Sequence, residues 1–247
     1  MTLVTKATFK TPVVRVFDKD ANISFYQETL GFRLVSEENA IAIFSAYENS
    51  ERTFIIEESP TYRTRAVNGK TKHHKTIIKV TRASDIECLL ARDITVDTLF
   101  KGENGYAFEV TSPQGYTYLI HAENDRASLV TIEKTDFKAQ PDFLGLSDFT
   151  IEELVLNVPN VGIAQAFYRK LNLSLAISFV ESEGEDLQVN PDDVWDLEYL
   201  EFTLPVESEI ALVKEELETL GCAIAYDDKK LLVTRDTSNI EIWFSKS

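Results

Sequence analysis

The sequence is poor in cysteine, in positive charge and in long apolar runs, and each shortage removes a class of protein. Cys88 and Cys222 are the only two cysteines, too few for a disulfide framework or a CxxC metal clamp. Cys88 lies among Ile86, Leu89 and Leu90, and Cys222 between Gly221 and Ala223, so both read as small core residues. Lysine and arginine total 25 against 41 acidic residues, a net charge of −16. Nucleic acid and anionic membrane surfaces would repel such a chain and are not expected as partners. The start, MTLVTKATFKTP, lacks the apolar stretch of a secretory signal, and no later run reaches membrane-spanning length. The expected location is therefore cytoplasmic, and an extracellular role would require release without a signal. The metalloprotease HExxH and the serine-hydrolase GxSxG are both missing.

What is present is a repeated unit. DKDANISFYQETLGF (Asp18 to Phe32) follows the apolar run Pro12 to Phe17 and precedes an alternating run to Phe44. Ile23, Tyr26 and Leu30 fall on one helical face. Asp18 or Asp20 is placed to cap that helix, and Gly31 to end it. The unit returns 142 residues later: Val14, Val16, Asp18, Phe25 and Tyr26 correspond to Leu156, Val158, Asn160, Phe167 and Tyr168. LGF (Leu30 to Phe32) becomes LNL (Leu171 to Leu173) after a one-residue deletion.

Each half carries a second strand–helix–strands unit. Ile77 to Val80 leads into SDIECLLAR, where Ser84 and Glu87 have capping-box spacing. Tyr199 to Leu204 leads into a helix striped by Ile210, Val213, Leu217 and Leu220 and closed by Gly221. Asn104-Gly105, Pro113-Gln114-Gly115, Asp227-Asp228 and Thr237-Ser238-Asn239 mark hairpins. Leu129 to Glu133 reads as one further strand. The expected layout is an N-terminal domain over 1–124, a linker over 125–148 and a C-terminal domain over 149–247. The first module of the C-terminal domain is abbreviated: an acidic stretch runs from Glu181 to Asp196 where two strands would be expected. From Glu181 to Glu218 there are 14 acidic residues against Lys214 alone, which reads as a solvated acidic surface. Arg63, Arg65, Lys70, Lys72 and Lys75 form an acid-free basic segment, readable as a soluble loop or as a docking patch for an acidic partner.

A strand ending V-x-D, a helix carrying FYQETLGF, further strands and a closing P-x-G hairpin resemble the vicinal-oxygen-chelate superfamily of glyoxalases, bleomycin-resistance proteins and extradiol dioxygenases. The resemblance implies an α+β fold of paired βαβββ modules, with each of two domains a curved sheet or half-barrel and the helices outside. The whole chain, including FLGLSDFTIEELVLNV, resembles the streptococcal CppA family, whose members are named for degradation of complement C3. That resemblance implies a hydrolase, and complement C3 as a partner.

The superfamily holds a divalent metal through His or Glu on strands lining a cup. Carried onto this sequence, its ligand positions in the N-terminal domain fall on Thr11, Lys75 and Leu119, which cannot form that site. In the C-terminal domain the first two positions fall on Glu153 and Tyr199. Strand alternation turns Glu241 and Trp243 to the cup, and Glu201 shares the parity of Tyr199. Glu153, Tyr199, Glu201, Glu241 and Trp243 are thus the candidate ligand cleft. Glu153 and Glu241 are the candidate catalytic pair, able in principle to share a proton and activate water. Three functions follow as expectations. One is C3 cleavage or engagement, implied by the family. Another is a metal-free protein binding a small-molecule ligand in the cytoplasm, with no cofactor. The last is a metal-dependent enzyme with a divalent metal in the C-terminal cup. Glyoxalase and dioxygenase turnover are not expected. His73, His74 and His121 read as exposed or rim residues, and Asp236-Thr237-Ser238 as a turn.

Overall fold

Asp18 opens the first helix: its carboxylate accepts the Ala21 N–H at 2.9 Å. The computed structural model describes residues 3–51 and 54–246. Its first half runs β1 (Thr8–Val16), α1 (Lys19–Ser24), β2 (Arg33–Glu38), β3 (Ile41–Ser45), β4 (Phe54–Glu58), β5 (His73–Val80), α2 (Ala83–Leu90), β6 (Thr98–Lys101), β7 (Tyr106–Thr111), β8 (Thr117–His121) and β9 (Val130–Ile132). Its second half runs β10 (Phe149–Val158), α3 (Val161–Leu171), β11 (Ala176–Glu181), β12 (Leu197–Thr203), α4 (Ile210–Thr219), β13 (Ile224–Asp227), β14 (Leu231–Arg235) and β15 (Glu241–Ser245).

The repeat seen in the sequence performs the same two jobs twice. Asn160 caps α3 by accepting the Ile163 N–H at 2.9 Å, as Asp18 caps α1. Gly31 (φ 72°) and Asn172 (φ 49°) each take the left-handed geometry that turns the chain out of the helix. After α1 the helix widens through Phe25–Thr29, where the Leu30 N–H donates to the Phe25 carbonyl at 3.2 Å. The capping box expected at Ser84 does not form. Helix α2 begins at Ala83, and Arg82 at the cap position makes no side-chain cap.

Two modules show one topology in full detail. Strand β5 pairs with β8 in parallel, and β7 and β6 follow outward as antiparallel neighbours. Likewise β12 pairs with β15 in parallel, followed by β14 and β13. The crossover helix makes the parallel pairing, and the predicted tight turns make the antiparallel ones. Strand β9 matches the expected Leu129 to Glu133 segment and adds to β6.

The chain forms two compact units, neither of them one continuous piece. The first comprises Met1–Phe17, Ser59–His74 and Val155–Ser247; the second comprises Asp18–Glu58 and Lys75–Leu154. In the first unit β1 lies antiparallel to β12, giving the order β13-β14-β15-β12-β1. Its apolar face is built from Leu200, Phe202, Ile242 and Phe244, all fully buried, with Val213 and Leu217 of α4 also buried. In the second unit Tyr26 is surrounded by Phe32, Phe44, Phe54 and Tyr118. Its hydroxyl meets that of Tyr118 at 2.5 Å, so the one polar atom of a buried ring finds a partner. No helix described is long and apolar enough to cross a membrane.

Candidate functional site

Alternation along β12 and β15 separates two faces. Leu200, Phe202, Ile242 and Phe244 take the core side, which leaves Tyr199, Glu201, Glu241, Trp243 and Ser245 on the opposite face. The parallel register puts Tyr199 beside Glu241 and Glu201 beside Trp243. The Tyr199 and Trp243 rings stack diagonally across the two strands, with centroids 4.0 Å apart and planes 10° from parallel.

An ion pair closes each side of this ring pair. Glu241 Oε1 accepts from Arg235 Nε at 3.1 Å and Nη2 at 2.7 Å, while its Oε2 accepts the Trp243 indole N–H at 2.8 Å. Glu201 Oε1 accepts from Lys10 Nζ and from Ser245 Oγ, both at 2.8 Å. Thr11 lies opposite Glu201 on β1, fully buried, its hydroxyl donating to the Pro12 carbonyl at 2.9 Å. Among the described residues, Lys10 Nζ donates to no further protein partner and Arg235 Nη1 to none. Both cations therefore keep donors to offer.

Of the five cleft candidates, four are brought together here: Tyr199, Glu201, Glu241 and Trp243. Glu153 belongs instead to the second unit, where its carboxylate pairs with Arg126. The neighbouring Glu152 binds Arg126 Nε at 3.3 Å and His121 Nε2 at 3.0 Å. His121 is completely buried, and its Nδ1 accepts the Glu123 N–H at 3.1 Å. That bond places the proton of the neutral ring on Nε2, aimed at Glu152. Burial lowers the His121 pKa, against the pull of Glu152. In the same unit Lys75 pairs with Glu109, and Leu119 is the strand partner of Glu109.

Sequence reasoning put the histidines at the rim and missed this one. His121 is two residues beyond Leu119 on β8, so it shares that side of the strand; parity was the available signal. His73 is also buried, which holds its pKa down to about 3, with the nearby His74 adding to the effect.

The acidic stretch is not simply a solvated surface. Asp186 takes both arms of Arg65, at 2.5 and 2.8 Å, and the Asn68 N–H at 2.6 Å. The Arg65 bonds, helped by the Asn68 N–H, draw the Asp186 pKa down to about 2 despite its burial. Asp196 accepts the Lys72 N–H at 2.6 Å, and Lys72 Nζ donates to the Val189 carbonyl at 2.6 Å. The basic segment and the acidic stretch therefore fasten each other. Asp236 accepts N–H groups of Ser238 and Ile240, each at 2.8 Å, so Asp236-Thr237-Ser238 is a turn as expected. Among the described residues no three His, Cys, Asp or Glu side chains are grouped to hold a metal ion.

Family models agree with the two halves of the repeat. The CppA N-terminal model matches residues 9–132, and the CppA C-terminal model matches residues 146–244. No curated protein matches the chain in sequence. Among solved structures, the cppA protein from Streptococcus pneumoniae TIGR4 is 31% identical, with a TM-score of 0.85 over 98% of this chain and 100% of that one. A candidate dioxygenase from Bacillus subtilis is 13% identical, with a TM-score of 0.62 over 98% of this chain and 86% of that one. Glyoxalase I from Zea mays is 12% identical, with a TM-score of 0.59 over 97% and 92%. The last two are alike in fold alone.

Proposed function

Because the chain belongs to the CppA family and has the vicinal-oxygen-chelate fold, we propose that it is a metal-free binding protein that holds a small molecule on the β1–β12–β15–β14 face. The observation that carries this reading is the Tyr199–Trp243 ring pair set between two closed ion pairs. Stacked rings offer flat apolar area, and the spare N–H groups of Lys10 and Arg235 offer fixed donors. Such a surface suits a ring-bearing molecule with carbonyl, carboxylate or phosphate oxygens.

The donor set does not fit the divalent metal that the fold family uses. On this face the strand positions hold a buried threonine, a stacked tyrosine and a glutamate already neutralised by Arg235. In the second unit they hold Lys75, Leu119 and a glutamate paired with Arg126. A divalent ion would meet two cationic side chains in either place, at a Coulombic cost.

Covalent proteolysis, which the family name suggests through complement C3, would need an activated nucleophile. Burial raises the thiol pKa of both Cys88 and Cys222, the reverse of what a thiolate nucleophile requires. We therefore read C3 as a molecule this family engages rather than one this chain cuts.

A thermal-shift and Trp-fluorescence screen of ring-bearing organic acids and phosphates tests the reading. The expected result is a compound that stabilises the wild type and loses its effect in Trp243→Ala. Substoichiometric cleavage of C3 by repurified protein, with no stabilising compound found, would overturn it.

A further inference from the structure

The third module lacks two strands, and the structure shows what their loss leaves open. In the first module β3 lies antiparallel to β4, with Phe44 opposite Phe54. Both rings pack on Tyr26, with centroids at 5.2 and 4.9 Å, and Tyr26 is completely buried. In the third module Tyr168 is the repeat counterpart of Tyr26. Phe179 on β11 meets it at 5.4 Å and a 41° tilt. In the two modules described above, the strand before the helix neighbours the last strand of its module, β8 beside β5 and β15 beside β12. Strand β11 neighbours β10 in the same way, so it is the counterpart of β4, the last strand of the first module. Nothing takes the place of β3: after Glu181 the chain enters the acidic stretch, and β11 ends its sheet with its outer edge unpaired among the described residues.

A groove of about 370 Å³ lies between α3 and β11, with Leu175 just before the strand, Ile177 and Phe179 along it, and Gln165, Tyr168 and Arg169 along the helix. Tyr168, the counterpart of the ring on which Phe44 packs, lines it. An open sheet edge beside a groove of mixed polar and apolar lining is an arrangement that recruits an extended strand, the edge supplying backbone bonds and the groove supplying side-chain selectivity.

We propose that this groove and the β11 edge dock an extended strand of a partner protein. The strand runs antiparallel to β11, as β3 runs to β4, and seats an aromatic side chain against Tyr168 and Phe179. The flanking charges set its polarity. Arg169 and Lys170 stand at the end of α3 where β11 begins, and the exposed Glu181 and Glu183 stand where β11 ends. An antiparallel partner therefore meets the glutamates with residues before its apolar stretch and the basic pair with residues after it. Basic residues belong first and acidic ones last.

The test uses a labelled peptide carrying the chain's own β3 sequence, Ile41–Ser45, with two lysines before it and two glutamates after it. Anisotropy titration with the full chain should show saturable binding, and hydrogen exchange should slow at the amides of β11. Ile177→Glu should weaken binding about tenfold or more while the melting temperature stays near that of the wild type, and the F44S peptide should lose a similar factor. Val180→Pro, which blocks the edge from outside the groove, supplies a second variant. Absence of saturable binding, equal binding by the F44S peptide, or protection at sites other than β11 would overturn the proposal. So would a concentration-dependent dimer broken by Ile177→Glu, since the edge would then pair with a second copy.

Discussion

Arg65 grips Asp186 with both of its terminal nitrogens, at 2.5 and 2.8 Å, across 121 residues of sequence. The pair joins a basic loop to an acidic one, and its forked geometry makes it stronger than a single-point surface contact. With Arg65 more than half exposed, solvent screening keeps its contribution modest. Asp186→Asn should cost about 1 kcal/mol in urea denaturation. The sign with pH is set by the depressed carboxylate: the contribution is present above the unfolded value of 3.8 and is lost as pH falls toward about 2. Part of the wild-type loss of stability in that window should vanish in Asp186→Asn.

His73 works over a higher range. Its folded pKa is about 3 against 6.5 for the free side chain, so between those values the unfolded chain binds the extra proton. Stability should fall as pH drops from 6.5 toward 3, with a slope of up to about 1.4 kcal/mol per pH unit from this group. Denaturation midpoints measured across that range should flatten in His73→Gln. An unchanged slope would assign the effect to other groups.

Tyr26 and Tyr118 share a hydroxyl contact at 2.5 Å in a fully buried setting. Tyr26→Phe should destabilise by about 1–2 kcal/mol by stripping a partner from the Tyr118 hydroxyl. A double-mutant cycle with Tyr118→Phe should give a coupling of about 1 kcal/mol. Additive single effects would show that the contact contributes nothing.

Trp243 is one of two tryptophans, with Trp195 the other. In a Trp195→Phe background the emission reports the ring pair directly. Glu241→Gln should shift that emission by weakening the acceptor for the indole N–H, whereas Glu153→Gln, in the other unit, should leave it unchanged. Equal shifts from both would contradict the grouping of Glu241 with Trp243.

Much of this was legible in the residues themselves. The helix stripes, the caps at Asp18 and Asn160 and the hairpin turns are short-range features, set by periodicity and by backbone preferences within a few positions. The shared face of Tyr199, Glu201, Glu241 and Trp243 followed from alternation once the core side was known. The capping box at Ser84 was misread because that spacing recurs by composition, and only the hydrogen bond itself identifies a cap. The buried His121 was misplaced because parity names a face without saying how deep it lies.

Sequence alone determined the modules, their repeat and the parity of each strand, because a period of 2 or 3.6 leaves its imprint within a dozen residues. Tertiary structure decided which strands became neighbours. Strand β1 pairs with β12, almost two hundred residues on, which sets Thr11 opposite Glu201, while Glu153 belongs to the other unit with Arg126. Alternation is the same whichever partner a strand finds, so it carries no record of that choice. The partner is selected by burial and by backbone bonds that exist only once the whole chain has closed.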